Sequence, residues 1–140
     1  MKRFCHLSRS VAAILILAPL FFTPSVLSQS PEPLDVEDAV ICQNVADRQA
    51  VNPGTDFPSS VGKLYCYNTI LGAKTKTQVT HVWYYGNVER ARIILPVKAS
   101  RWRTYSSKKI RPQEIGVWHV DILGPTGDRL EVLNFHILRD

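Results

Sequence analysis

From Val40 to Leu138 the chain breaks into runs of six to ten residues, most ending at Gly, Pro, Asn or Asp. Several runs alternate apolar and polar side chains, and none holds a 3.6-residue period. Alternation places successive side chains on opposite faces, which is the pattern of a half-buried strand. A chain of 140 residues patterned this way cannot be a helical bundle, a TIM barrel or a full Rossmann enzyme. The spacing predicts an all-β fold of about seven strands, an antiparallel β-sandwich of immunoglobulin-like general plan. A small β-barrel is the alternative.

The runs are Val40 to Val45, Lys63 to Leu71, Gln78 to Tyr85, Ala91 to Val97, Arg101 to Ser106, Ile115 to Leu123 and Arg129 to Leu138. Asn52-Pro53-Gly54 and Phe57-Pro58 read as a long connection, Gly86-Asn87 as a hairpin turn, and Gly124 to Asp128 as another turn. In Ile115 to Leu123, Trp118, Val120 and Ile122 share the expected core face, with His119 and Asp121 opposite. In the last run Leu133, Phe135 and Ile137 share one face, with Val132, Asn134 and His136 on the other.

The N-terminus reads differently. Lys2, Arg3 and Arg9 precede an unbroken apolar run of 12 residues, Val11 to Phe22, and then a short stretch ending Val26-Leu27-Ser28. That order is expected of a secretory signal peptide, residues 1–28, and an export address follows: periplasmic or secreted. The run is shorter than the ~20 residues needed to cross a bilayer, so membrane association would come only through an uncleaved signal. Residues 29–38 read as a short acidic tether and residues 39–140 as the single folded domain. Removal of the signal takes the formal charge from +5 to +2 and removes Cys5, leaving Cys42 and Cys66. In an oxidising compartment these two are expected to form a disulfide, for which the chain-entropy estimate is about 3.5 kcal/mol. Two buried free thiols are the alternative.

Catalytic signals are sparse. His81, His119 and His136 would bind zinc if they converged, but no HxH or HExxH pair holds them. His81 shares a face with Trp83 and is expected to be structural, as are Trp83, Trp118 and Phe135. Ser106-Ser107-Lys108-Lys109 spells S-x-x-K, yet residues i and i+3 of an extended chain point to opposite faces, so the serine–lysine chemistry fails there. No Gly-rich phosphate loop, GxSxG elbow or CxxC is present. No metal or cofactor is expected.

The clearest non-core feature is Lys98 to Arg111, with six cations, no acid, and Trp102 and Tyr105 interleaved. Residues 29–57 hold six acids against Arg48, so a modest net charge hides a dipolar distribution. Arg101, Trp102, Arg103, Tyr105, Lys108 and Lys109 are the candidate contact residues. Cations beside rings suit an anionic envelope glycan, a lipid headgroup or an acidic protein partner; an exported address argues against nucleic acid. The competing reading is a solvated edge whose charges deter strand-to-strand aggregation, with Trp102 packed inward.

HVWYYG at His81 to Gly86, RWRTYSSKKI at Arg101 to Ile110 and GVWHVDILGPTGDRLEVLNFHI at Gly116 to Ile137 occur in the right order and spacing to resemble the bacterial domain-of-unknown-function family numbered 2914. The resemblance runs from about Val40 to Ile137 and implies a small β-rich envelope domain without assigning any catalytic residue. The expectation is an exported, non-enzymatic binding or assembly module of the bacterial cell envelope. The alternative is a small hydrolase or metal-dependent enzyme using His81, His119 or His136.

Overall fold

A computed structural model of the chain describes residues 33–140, together with Thr23 and Ser25. The remainder of the expected signal peptide (1–28), and residues 29–32 of the expected tether, lie outside the described residues. Among the described residues nine strands form in chain order: β1 Asp35–Ala46, β2 Gln49–Gly54, β3 Asp56–Pro58, β4 Lys63–Leu71, β5 Thr77–Tyr85, β6 Val88–Val97, β7 Arg101–Lys109, β8 Gly116–Leu123 and β9 Arg129–Leu138. They make two open sheets, β2-β1-β4-β7 and β3-β9-β8-β5-β6, so the molecule is a β-sandwich and not a barrel. All pairings are antiparallel except β3 with β9.

Two strands exceed the expected count, and both come from the stretch read as a long connection. β1 and β2 are joined by Asp47 and Arg48, both at positive φ, as a two-residue hairpin turn demands. Neither residue is a glycine, so the usual signal is missing. Pro53 and Pro58 are tolerated because β2 and β3 are edge strands, where a missing N–H costs no ladder bond. The first strand also starts earlier than expected. Asp35 to Asp38 belong to β1 and not to a tether, so the folded strands begin before residue 39. The register shifts between Glu37 and Val40, where Asp38 takes a left-handed φ, as a bulge does.

The core lies between the sheets. Phe135 is its hub: Phe57, Trp83 and Trp118 surround it with ring centroids 6.0–6.2 Å away. Leu64, Cys66, Val120, Ile122 and Ile137, all fully buried, join them in the main cluster with Ile41 and Ile110. Each such aliphatic or aromatic side chain is worth about 1.5–3 kcal/mol when removed from water. A second cluster holds Leu34, Ile70, Ala73, Val79 and Val97, with Trp102 packed against it. Trp118, Val120 and Ile122 take the inner face of β8, as alternation predicts.

Cys42 and Cys66 are free thiols, against the expected disulfide. The reason is register. Cys66 is the partner of Ile41, and Cys42 is the partner of Tyr65. Directly opposed residues share a face, so residues offset by one lie on opposite faces of the sheet. Cys66 enters the main core, whereas Cys42 lies on the other side of β1. Burial pushes both thiols up, away from the reactive thiolate.

Candidate functional site

β7 is an edge strand paired along nine residues to β4 with no register shift. Its alternation divides the basic stretch into two sets. Arg101, Arg103, Tyr105, Ser107 and Lys109 face out from the sandwich and are exposed. Trp102, Thr104, Ser106 and Lys108 face inward and are half-buried or buried. Of the six expected contact residues, Trp102 and Lys108 thus point to the opposite side of β7 from the other four. Trp102 packs on the second core cluster, and the Lys108 ammonium donates to the Lys109 carbonyl at 2.7 Å. The inward Ser106 and outward Lys109 also separate the S-x-x-K pair.

The outward set does not act alone. Tyr105 meets Tyr65 of β4 edge-on at 5.9 Å, and the Lys63 ammonium sits 6.0 Å from the Tyr65 ring centroid. The Tyr67 hydroxyl donates to the Arg48 carbonyl at 2.9 Å, tying the β1–β2 turn to the outer face of β4. Arg48, Ala99, Arg101, Trp102, Arg103 and Tyr105 then line a cleft of about 490 Å³. Arg101 is held by Glu37 at 2.9 Å, both about half exposed, a pair worth little in water. Arg48 and Arg103 have no carboxylate partner among the described residues. Two uncompensated guanidiniums beside a tyrosine ring can take an anion carrying an apolar or planar body. Arg48, Tyr65 and Tyr67 were not singled out in the sequence, because their place depends on strand register and an unmarked turn.

The inward side of β7 is a structural lock. The Trp83 indole N–H donates to Ser106 Oγ at 3.0 Å, and His81 Nδ1 lies 2.7 Å from the same oxygen. One serine of sheet β2-β1-β4-β7 thus joins two side chains of β5 in the other sheet. Burial lowers the His81 pKa to about 4, which keeps the ring neutral. Among the described residues, His81 Nε2 and both ends of the Asn68 side chain are buried with no hydrogen-bond partner.

The three histidines do not converge. His81 points into the core. His119 and His136 lie on the outer face of β8 and β9, where His119 stacks on Tyr84 at 4.5 Å and His136 contacts Asp56 at 3.1 Å. The three-histidine zinc site is therefore not built. Among the described residues no group of three His, Cys, Asp or Glu side chains is placed to hold a metal.

Glu114, also unmarked in the sequence, fixes the loop after β7. It is buried and bonded to Arg90 and to Arg111, the latter at 2.9 Å, while the Trp118 indole donates to its carbonyl at 3.0 Å. Burial pushes the Glu114 carboxyl up, but the Arg111 and Arg90 bonds outweigh it and hold the group below the usual range. Arg111 is accordingly spent on structure, and the basic stretch offers fewer free cations than its composition suggests.

Residues 76–137 match a family described as "Protein of unknown function (DUF2914)". The match supports the resemblance drawn from the three motifs and starts later than Val40, where the sequence reading placed it. It contains the His81, Trp83 and Ser106 lock and all of β7, while Arg48 and Tyr65 fall before it. No curated protein matches the chain.

Proposed function

On a chain that matches DUF2914 over residues 76–137, a family that supplies no activity, we propose an exported, non-enzymatic binding or assembly module of the cell envelope. Its contact surface is the outward set of β7, Arg101, Arg103, Tyr105 and Lys109, completed by Arg48. The observation that carries the reading is the cleft in which Arg48 and Arg103, with no carboxylate partner among the described residues, stand beside Tyr105. The signal-like order of residues 1–28 supports the export address. Such a surface steers an anion and fixes its orientation, and its affinity falls with salt.

The test uses three anionic probes: polygalacturonate fragments, vesicles containing phosphatidylglycerol, and an acidic peptide. Binding to at least one is expected at low ionic strength, weakening as salt rises. The double variant Arg48→Glu with Arg103→Glu is expected to lose about tenfold or more in affinity at unchanged melting temperature. Arg92→Glu with Arg129→Glu makes the same change in net charge on the other sheet and is expected to bind as the parent does. Equal losses in the two double variants, or no binding to any probe, would overturn the reading.

A further inference from the structure

Resting on that binding surface, we infer that the partner is an extended acidic peptide segment that adds to β7 as a fifth strand of sheet β2-β1-β4-β7. Three features of β7 point there. It pairs on one side only among the described strands, so half of its backbone donors and acceptors face outward from the sheet edge. Its nine residues contain no proline, and their pairing to β4 runs without a shift, which leaves an unbroken template. Its outward side chains are cationic or aromatic: Arg101, Arg103, Tyr105 and Lys109.

The other edge on this side of the sandwich is a poorer template. β6 carries Pro96, its pairing to β5 shifts between Trp83 and Tyr84, and its exposed charges, Glu89 and Arg92, bind each other at 2.6 Å. β6 nevertheless contributes to the site. It lies beside β7 across the two layers, and its inward Ile93 and Leu95 are only partly buried, like Trp102 of β7. An added strand would therefore meet two chemistries in alternation. Side chains on the outer face would stand opposite Arg101, Arg103, Tyr105 and Lys109, where acids pair favourably. Side chains on the inner face would reach toward Trp102, Ile93 and Leu95, where apolar groups leave water. The recognised pattern is acidic and apolar residues in strict alternation. Main-chain bonds would supply affinity and the alternate side chains selectivity. A second copy of this chain is disfavoured at this edge, because pairing β7 with itself brings Arg101, Arg103 and Lys109 against their own kind.

The experiment titrates the full chain into a fluorescent nine-residue peptide alternating glutamate and valine, read by anisotropy. A peptide of the same composition with the alternation scrambled is expected to bind about tenfold more weakly or worse. In a docked strand only alternate amides face β7. N-methylation of one alternate set of amides is therefore expected to abolish binding, and methylation of the other set to spare it. Arg103→Glu is expected to weaken binding while the melting temperature holds. Equal binding of the scrambled peptide, or equal binding of the two methylated peptides, would overturn strand addition. Arg103-dependent binding to polygalacturonate or to phosphatidylglycerol vesicles without binding to the alternating peptide would overturn the peptide as partner and leave the anion-binding surface standing. No binding to any of the three would overturn both.

Discussion

Trp83→Ala is expected to destabilise the domain by about 3–5 kcal/mol, the range for truncating a large aromatic in a packed core. A domain of this size has about 5–15 kcal/mol to lose, so the variant sits near the edge of folding. Two losses combine. The indole is fully buried against Phe135, and its removal leaves a cavity between the sheets. Its N–H also bonds Ser106 at 3.0 Å, one of two side-chain bonds that tie β5 to β7. Trp83→Phe separates the terms. It keeps the apolar contact and forfeits the hydrogen bond, and is expected to cost about 1–3 kcal/mol. Urea midpoints at constant m-value measure both. Tyr105→Ala is expected to stay within about 0.5 kcal/mol of the parent, because that ring is half exposed on the outer face. A Trp83→Ala loss no larger than that of Tyr105→Ala would show that β5 and β7 are not locked through the core.

The second large effect is acid instability centred on His81. The ordinary histidine pKa of 6.5 applies in the unfolded chain, and in the folded domain burial lowers it to about 4. The native state thus binds fewer protons than the unfolded state between those values. Stability is complete above about pH 6.5 and falls as the pH drops toward 4, by about 3 kcal/mol in total. Below pH 4 this contribution stays constant. His81→Leu removes the titrating group, and its urea midpoint is expected to vary much less between pH 7 and pH 4. Its stability at pH 7 also drops, because Ser106 loses a partner 2.7 Å away. The slope of stability against pH, not its value at one pH, carries the test. An unchanged slope in His81→Leu would remove His81 as its cause.

Much of the fold was legible because alternation is a local property. The inner faces of β8 and β9 follow from the period alone: Trp118, Val120, Phe135 and Ile137 are fully buried. The Gly86-Asn87 turn was equally legible, since Tyr85 and Val88 pair across it with Gly86 at positive φ. β2 and β3 were not legible, because the turn that returns the chain uses Asp47 and Arg48, which carry no hairpin signature. The cysteines show the limit most sharply. The expected export address suited a disulfide, but a one-residue offset in the β1–β4 register puts them on opposite faces. Register is set by the whole sheet and cannot be read from either strand.

The candidate site divides along the same line. Composition marked Lys98 to Arg111 as basic, and alternation within β7 then decided which of its residues face outward. Arg101, Arg103, Tyr105 and Lys109 share the outer face, while Trp102 and Lys108 turn inward. Arg111 is engaged by Glu114, and Arg48 enters from a distant turn through the Tyr67 hydroxyl. Neither long-range contact leaves a trace in local sequence. The motifs behind the family resemblance also acquire a physical meaning. His81 and Trp83 of one motif and Ser106 of another are bonded to each other in the core, so they specify how the sheets join. The surface chemistry lies on the other side of the same strand.

The central claim is that ligand contact is confined to β7, the Arg48 turn and the neighbouring Ile93 and Leu95 of β6. Amide chemical-shift mapping during a titration with the alternating acidic peptide tests it most directly. The account predicts shifts concentrated at Arg48, Ile93, Leu95, Ala99 and the β7 amides from Arg101 to Lys109, with β8 and the outer face of β5 unchanged. Shifts centred instead on Tyr84, His119 and Asp121, or spread evenly over both sheets, would contradict it.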